Sequence, residues 1–492
     1  MIARWWTRLA HQMQQQMSKG GQWIPFLREV ARADSIVRTE GSGMVDQAAL
    51  ARRFPKNFTW GFGTAAYQIE GATKEDGRGE SIWDRFATIP GKTHNGESGE
   101  PACDSYHRWR EDIAVLKELG ATAYRFSIAW PRILPNGTGA VNPKGLAWYE
   151  KFVDDLLEAG IEPFPTLYHW DLPQALQDRG GWPSRDTAQA FADYASIVVG
   201  ALGDRVTRWS TLNEPLCSAW LGYLSGDMAP GIEDAQAAFS ASHHLLLGHG
   251  LTVRAARAVR PNIEMGIVMN VGPAIPASDS PEDRDAARRA DLTDSHWFHD
   301  PVYLGSYPQE VIDFSGVTMP IQSDDMKIIS ERLDWHGLNY YFPAKIADDP
   351  NGDGARTHWG HIDGPKTDMG WGINASVMRD FLIKLKTYWK TPKIYITENG
   401  SAWPDSVAPD GRIYDPEREQ YLMEHLSAAA EAIEAGVDLR GYFGWSLLDN
   451  YEWAYGYAKR FGYAYVDYAT QTRTIKESGR AFARLIRASR GG

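Results

Sequence analysis

Two glutamates in this 492-residue chain stand where paired carboxyl groups could do chemistry. Glu214 ends the segment 209–214, which reads WSTLNE, and Glu398 ends the segment 394–398, which reads IYITE. Both segments are rich in β-branched, aliphatic and aromatic residues, so we predict that each glutamate closes a β-strand. Two carboxyl groups directed from separate strand ends into one pocket are what cleavage of a glycosidic bond requires, since one donates a proton while the other attacks or supports the sugar cation.

The elements that must position these glutamates follow one another regularly from residue 59 onward. Runs that predict strands alternate with segments of helical periodicity rich in Ala, Leu and charged residues. The predicted strands are 59–66, 123–130, 162–169, 206–213, 263–270, 334–341, 393–398 and 439–447. The main predicted helices are 107–119, 142–159, 187–202, 235–260, 375–389 and 416–435. Strict alternation predicts an α/β fold, a single (β/α)8 TIM barrel of parallel strands with its active site at the C-terminal strand ends.

The residues at the ends of the predicted strands indicate what such a site would bind. In chain order they are Gln68, Arg125, Trp130, His169, Trp170, Asn213, Glu214, Asn270, Asn339, Tyr341, Glu398, Asn399, Trp445, Glu452 and Trp453. Nearly all carry a hydrogen-bonding group or an aromatic ring, and a polyhydroxylated ring with apolar C–H faces needs both kinds. The set predicts a sugar pocket. On counts alone, the aromatic content of 12% is explained better by core packing.

Seven segments of the chain resemble glycoside hydrolase family 1, the β-glucosidase family, and the resemblance runs from about residue 54 to 488. They are FPKNFTWGFGTAAYQIEG at 54–71, YRFSIAWPR at 124–132, LYHWDLP at 167–173, TLNEP at 211–215, NYY at 339–341, ITENG at 396–400 and WSLLDNYEW at 445–453. The resemblance implies a retaining β-glycosidase with Glu214 as acid/base and Glu398 as nucleophile. It also implies a glycone subsite made by Gln68, His169, Trp170, Asn213, Glu452, Trp453 and Phe461.

The chemistry of the residues agrees with these implied roles. Retention requires carboxyl groups about 5 to 5.5 Å apart. We expect Arg125 and the Tyr341 hydroxyl to lie against Glu398 and to favour its charged form. Glu214 then faces a negative charge and should keep its proton toward neutral pH, as a general acid must. The amide of Asn213 is expected to bond the sugar 2-hydroxyl in the transition state.

Glu452 narrows the predicted substrate. Its carboxylate can accept bonds from adjacent sugar hydroxyls but would repel a 6-phosphate, so we predict an unphosphorylated glycone and interpret Lys459 as a loop lysine. Trp445 and Trp453 could belong to the core, but their places around a loop favour stacking on the glycone. The predicted substrate-binding set is completed by Asn339, Tyr341 and Trp371.

The leaving-group side departs from the family pattern. Trp371 fits the aglycone platform of the family, but Gly372 stands where an acidic residue is common. Asn374 and Ala375 replace a common Tyr-Pro pair, and Met228 stands where a His is usual. These departures leave the natural aglycone open but do not affect the predicted glycone chemistry. Separately, the sequence does not give the preference among glucose, galactose and fucose.

Composition argues against several other classes of protein. The net charge of −12, with no block of Lys or Arg, disfavours nucleic acid as a partner. Cys103 and Cys217 are too few for a disulfide framework, which is compatible with a reducing cytoplasm. No run of about 18 apolar residues predicts a membrane span, and no secretion signal is recognisable. We predict a cytoplasmic protein whose partner is a small-molecule β-glycoside, and leave a homo-oligomer open.

We predict neither a cofactor nor a metal. The segment GFGTAA at 61–66 imitates a dinucleotide fingerprint, but no acidic residue ends a second strand about 20 residues later. His243, His244 and His249 are spaced so that a helix does not bring them to one face, and helix packing explains them better.

Residues 1–43 are predicted to be an N-terminal extension to a glycosidase domain spanning 44–492. The stretch is basic and weakly amphipathic, which allows a membrane-surface helix, but a disordered tail or a start-site artefact upstream of Met44 is favoured.

The leading functional hypothesis is a hydrolase of terminal non-reducing β-D-glucosyl residues that serves the breakdown of cellobiose, oligosaccharides or aryl glucosides. One rival is a sugar-binding pseudoenzyme on the same barrel, which the presence of both Glu214 and Glu398 disfavours. A second rival is a transglycosylase that passes the glycosyl unit to an alcohol or a sugar.

Overall fold

A computed structural model describes residues 46–352 and 354–491, and eight parallel strands in it form a closed barrel. Each strand pairs with its neighbours in the sequence, and the last pairs with the first. The strands are Thr59–Gly63 (β1), Ala123–Ser127 (β2), Glu162–Tyr168 (β3), Arg208–Asn213 (β4), Glu264–Val271 (β5), Trp335–Tyr340 (β6), Lys393–Asn399 (β7) and Leu439–Trp445 (β8). The predicted (β/α)8 barrel is confirmed, while the predicted extension 1–43 lies outside the described residues.

Helices connect and surround the strands. They are Gln47–Ala51, Ala66–Ile69, Ile82–Phe86, Ser105–Leu119, Trp130–Ile133, Pro143–Glu158, Gln174–Gln177, Arg185–Leu202, Ala235–Val259, Pro281–Asp291, Trp297–Tyr303, Gln309–Ser315, Asp325–Ile329, Ala375–Lys384, Pro416–Glu434 and Glu477–Ser489. Wider π-type turns span Cys217–Leu224, Leu292–His296 and Leu385–Trp389, and 3-10 turns span His94–Gly96 and Trp453–Tyr455. None of the helices in the described ranges is both long and apolar enough to cross a membrane.

Two of the predicted strands end three residues earlier than the sequence pattern indicates. Strand β1 stops at Gly63 and β2 at Ser127, because the chain turns into short helices at Ala66 and Trp130. The backbone N–H of Ala66 donates to the Ser127 hydroxyl at 2.7 Å instead of to a strand partner. The apolar pattern therefore continues beyond the last paired residue, which is why the predicted strands are too long.

Five further strands form two small sheets that the sequence pattern did not predict. Ala274–Pro276, Ala344–Asp348 and Thr357–His361 form a three-stranded sheet, and Ala464–Asp467 pairs with Thr472–Ile475 in a hairpin. They are short and lie in the connections that follow β5, β6 and β8. Trp359 of the three-stranded sheet lines the cavity at the C-terminal ends of the barrel strands.

An apolar layer fills the lower interior of the barrel. Its members come from six strands and are Ala123, Phe164, Val268, Trp335, Tyr395 and Phe443. The Phe164 ring reaches across to the Phe443 ring, with their centroids 5.0 Å apart. Gly266 makes room, since a Cβ there would lie 2.3 Å from the Trp335 indole. Inward-facing positions recur every second residue, so Arg125 and Trp445 stand one level above this layer.

Candidate active site

A cavity of about 150 Å³ lies above the apolar layer, where the C-terminal ends of the strands meet. Ten of the fourteen predicted site residues line it: His169, Trp170, Glu214, Tyr341, Trp371, Glu398, Trp445, Glu452, Trp453 and Phe461. The other four, Gln68, Arg125, Asn213 and Asn339, are buried behind the lining and hydrogen-bond to it. The structure therefore brings all fourteen residues together.

Irregular strand pairing precedes each of the two central glutamates. The register of β7 on β6 shifts between Ile396 and Glu398, and that of β4 on β5 shifts between Ser210 and Asn213. A shift of this kind changes the side to which the next side chain points. Glu214 itself has a φ of 48°, a left-handed conformation that is uncommon for a residue other than glycine and recurs at functional sites.

Glu398 is held between a cation and a hydroxyl group, as the sequence analysis expected. Arg125 Nη1 donates to Oε1 at 2.6 Å, and the Tyr341 hydroxyl donates to Oε2 at 2.6 Å. Burial raises the pKa of Glu398, and the guanidinium and the hydroxyl oppose that rise. Because Arg125 contacts Glu398, the charged form is favoured at Glu398 rather than at Glu214.

Glu214 faces the opposite electrostatic situation. Asn339 Nδ2 donates to its Oε1 at 2.7 Å, and the Cys217 thiol donates to its Oε2 at 3.2 Å. Burial, followed by the charge of Glu398, raises the pKa of Glu214 to about 8. Glu214 is therefore protonated at neutral pH, and the pair has one anion and one acid.

Asn213 organises the polar floor beneath the two glutamates. Its Oδ1 accepts from Arg125 Nη2 at 2.6 Å and from Asn339 Nδ2 at 3.0 Å. Its Nδ2 donates to His169 Nε2 at 3.0 Å, which leaves the second amide hydrogen for a ligand. Its bond to a sugar 2-hydroxyl stays a prediction. Burial lowers the pKa of His169, so the ring is neutral and its Nδ1–H can donate to a hydroxyl.

Glu452 lines the cavity together with Trp453, but its charge differs from the sequence-based expectation. Gln68 Nε2 approaches its Oε2 at 3.3 Å, and no cation contacts it within the described ranges. Burial, then the charges of Glu398 and Glu214, raise the pKa of Glu452 to about 8. The carboxyl group is therefore neutral in the sugar-free pocket at pH 7. Two sugar hydroxyls donating to it would favour its anion on binding.

Aromatic rings form the walls of the cavity. The Trp453 ring lies 4.6 Å from that of Trp170 and 5.7 Å from that of His169, measured between centroids. The Trp371 ring packs on the Phe342 ring with centroids 4.8 Å apart and lies 5.5 Å from the Tyr341 ring. Trp445 and Trp453 are each only 3% exposed and still line the cavity, so they belong both to the core and to the site.

The side chains that could have indicated other ligands have protein partners. Lys459 Nζ donates to the Asp368 carboxylate at 2.9 Å, which agrees with its interpretation as a loop lysine. His243 and His249 bond to Asp325 and Thr211. Among residues 46–352 and 354–491, no group of three His, Cys, Asp or Glu residues is arranged to hold a metal ion.

Among the cavity-lining residues that were not assigned to the site from the sequence, Cys217 carries a thiol and Asp294 a carboxyl group. Cys217 stands three residues after Glu214, a spacing at which side chains meet in helical turns, so the sequence did carry a signal. Asp294 lies in the π-type turn Leu292–His296 and lines the cavity. No periodicity in the sequence indicates which side such a wide turn presents.

We expect Cys217→Val to shift the alkaline limb of the pH profile upward. Turnover falls as pH rises through the pKa of Glu214, because the general acid is lost there. The thiol stabilises the Glu214 carboxylate and so lowers its pKa; valine removes this donor and keeps the wall apolar. The measurement is kcat/KM against pH. Cys217→Ser, which restores a donor, is the control, and profiles that superimpose for all three proteins would contradict the role.

Glu452→Gln should lower kcat/KM on β-glucosides by about 30-fold, or about 2 kcal/mol, because a neutral amide cannot make charge-assisted bonds to two hydroxyls. The measurement compares glucosides and galactosides at one pH. Glu233→Gln, which changes a glutamate outside the cavity lining, is the control. Unaltered kcat/KM on both sugars would remove Glu452 from the glycone site.

A closed parallel barrel with two buried glutamates at its C-terminal strand ends, one paired with an arginine and one protonated, has the features of a glycoside hydrolase. A sequence profile of glycosyl hydrolase family 1 matches residues 50–490. The chain belongs to glycosyl hydrolase family 1, which confirms the resemblance found in its sequence.

Individual relatives cover nearly the whole domain. A β-glucosidase from Agrobacterium sp. is 46% identical over 446 residues, which make up 90% of this chain and 97% of that protein. A 1,4-β-D-glucan glucohydrolase from Thermotoga neapolitana is 46% identical over 89% of this chain and 98% of its own length. The solved structure of a family 1 β-glucosidase from Thermotoga maritima gives a TM-score of 0.86 at 47% identity, covering 89% of this chain and 98% of that one.

Proposed function

We propose that this protein is a retaining β-glucosidase that hydrolyses terminal non-reducing β-D-glucosyl residues by double displacement. The observation that carries the proposal is the contrast between the two glutamates, since Arg125 and Tyr341 contact Glu398 while Glu214 has a pKa of about 8. One carboxylate ready to attack and one carboxylic acid ready to donate are the two groups of the retaining mechanism.

In the first step a carboxylate oxygen of Glu398 attacks the anomeric carbon, and the bond from that carbon to the leaving oxygen breaks. Glu214 gives its proton to the leaving oxygen, so an alcohol departs and an α-glucosyl ester of Glu398 remains. In this proposal the Asn213 amide bonds the 2-hydroxyl while positive charge develops on the ring. The Trp453 ring, which lines the cavity, packs against an apolar C–H face of the glucosyl ring.

In the second step Glu214 acts as a base. Formation of the ester removes the negative charge of Glu398, which is one of the causes of the raised pKa of Glu214. The carboxylate of Glu214 then takes a proton from water, and the resulting hydroxide oxygen attacks the anomeric carbon. The ester bond breaks, β-glucose leaves, and both glutamates return to their initial protonation states.

The test of this proposal is the first-formed product from p-nitrophenyl β-D-glucoside, followed by proton NMR. Retention predicts β-glucose first, with α-glucose appearing later by mutarotation. If α-glucose is formed first, the enzyme inverts and the roles given to Glu398 and Glu214 are wrong. If no nitrophenol is released by the folded protein, the chain is a sugar-binding pseudoenzyme.

The range of glycones is part of the proposal. Glu452 lines the cavity with Gln68 bonded behind it, and no cation that would select a phosphate contacts Glu452 within the described ranges. We infer that β-galactosides and β-fucosides are also hydrolysed, with glucosides preferred. A panel of p-nitrophenyl β-glycosides measures this range, and product analysis with an added alcohol separates hydrolysis from transfer to an acceptor.

We also infer a cytoplasmic location. Cys103 and Cys217 are both buried free thiols, and the Cys217 thiol donates to the Glu214 carboxyl group. A reducing compartment keeps both thiols in that form. Cell fractionation with an activity assay tests the location, and activity confined to an oxidising compartment would contradict it.

A further inference from the structure

The cavity extends past Glu214 on the side where a leaving group must stand. Glu214 gives its proton to the leaving oxygen, so groups next to Glu214 and away from Glu452 face the aglycone. Cys217 donates to Glu214, and the Asn270 amide in turn donates to the Cys217 sulfur at 3.5 Å. Asn270, Asp294 and Trp371 line the cavity. Asp294 lies near Cys217, since the pKa of that thiol is raised by burial and, to a smaller extent, by the charges of neighbouring carboxylates that include Asp294.

Asp294 is held in this wall by residues that point elsewhere. In the turn Leu292–His296, the Thr293 hydroxyl bonds back to the Arg289 carbonyl at 2.9 Å, and His296 pairs with Asp300 at 3.1 Å. The Asp294 carboxyl group lines the cavity. Its Oδ1 is buried and has no hydrogen-bond partner among residues 46–352 and 354–491. A buried carboxyl oxygen without a partner is expensive unless a ligand supplies one.

The protonation state of Asp294 suits a hydroxyl group. Burial, with a smaller contribution from Asp291, raises the pKa of Asp294 to about 8. Below that pH the protonated carboxyl group has one O–H donor, and its oxygens can also accept. A sugar hydroxyl group likewise both donates and accepts, so the two are complementary. Asn270 adds a second buried acceptor, since its Oδ1 also has no partner in the described part of the chain.

We propose that Asp294, with Asn270, holds the hydroxyl groups of a sugar leaving group, so that the preferred substrates are oligosaccharides rather than plain aryl or alkyl glucosides. The inference rests on the proposed β-glucosidase function and names the substrate class of the same site. Trp371, stacked on Phe342, offers an aromatic face to the ring of that second sugar. An aryl or alkyl group would bury both oxygens without supplying a donor, and a site built for hydroxyl groups rejects such a partner.

The experiment compares cellobiose with cyclohexyl β-D-glucoside. Both leaving groups are alcohols that need protonation by Glu214, but only the sugar carries hydroxyls for Asp294. In Asp294→Ala we expect kcat/KM for cellobiose to fall by about tenfold or more. That for cyclohexyl glucoside should be unchanged or rise, because alanine removes an oxygen that an alkyl group leaves without a partner. Asp294→Asn, which keeps the size and one acceptor oxygen, should lose less. Asp279→Ala, which removes a 99% exposed carboxylate, is the matched control and should change neither value.

The outcomes separate the two proposals. Equal losses on both substrates would mean that Asp294 acts on Glu214 or on the fold, and would overturn the inference, as would no loss on either. Hydrolysis of cyclohexyl glucoside by the unaltered protein supports the β-glucosidase function whatever Asp294 does. Failure of the unaltered protein to cleave either compound would overturn the proposed function and this inference with it.

Discussion

Glu398→Gly should abolish hydrolysis of β-glucosides, with a loss in kcat of about 10⁴-fold or more, because no glucosyl ester can form. The variant leaves the Arg125 guanidinium and the Tyr341 hydroxyl without their anionic partner. Azide is a small anion that fits this vacated, positively charged place. We expect azide to restore cleavage of an activated aryl β-glucoside by attack from the face that Glu398 occupied, giving an α-glucosyl azide.

The measurement is proton NMR of the anomeric hydrogen of the azide product. Glu398→Gln is the control, since its amide keeps the space filled and should not be rescued. A buried guanidinium that loses its partner destabilises the fold, so the melting temperature of each variant must be measured first. A folded Glu398→Gly variant that retains ordinary turnover would show that Glu398 is not the nucleophile.

Glu214→Ala should separate substrates by their leaving groups. The nucleophile remains, so 2,4-dinitrophenyl β-glucoside should still form the glucosyl ester. For glucosides whose leaving alcohol needs a proton, kcat/KM should fall by about 100-fold or more. The alkaline limb at pH about 8 should also disappear, because the group whose pKa sets it is gone.

Azide distinguishes this variant from the first. It attacks the existing ester from the face opposite Glu398, so the product should be a β-glucosyl azide. Cys217→Val serves as a control, because it alters the neighbour of Glu214 without removing the acid. The same anomer from both glutamate variants, or the reverse pairing, would overturn the roles of Glu214 and Glu398.

The barrel could be predicted from the spacing of its strands and helices, and most of the site from the residues at the strand ends together with the resemblance to glycoside hydrolase family 1. Alternation of strand and helix patterns is sufficient to define eight βα units, and the end of a parallel strand is a known place for a functional side chain. Arg125 and Tyr341 could be placed against Glu398 because a nucleophilic carboxylate needs a cation and a donor. The structure has both at 2.6 Å.

The features that the sequence pattern missed depend on geometry beyond a single strand. The register shifts before Asn213 and Glu398 arise from pairing between strands, and no local residue pattern specifies them. The neutral state of Glu452 follows from burial beside two other carboxyl groups. Asp294 comes from a wide helical turn whose orientation is decided by the packing of its neighbours.

The apolar layer across the lower barrel determines the route by which the leaving alcohol and the incoming water pass. With Phe164 and Phe443 in contact beneath the pocket, the alcohol that leaves and the water that follows must pass through the same mouth. Until the alcohol has gone, water cannot reach the ester, and any second glucoside that enters first becomes the acceptor. Water and a second glucoside therefore compete for the glucosyl ester through one opening. Raising the substrate concentration should increase the fraction of glucosyl units transferred to sugar and so yield longer oligosaccharides.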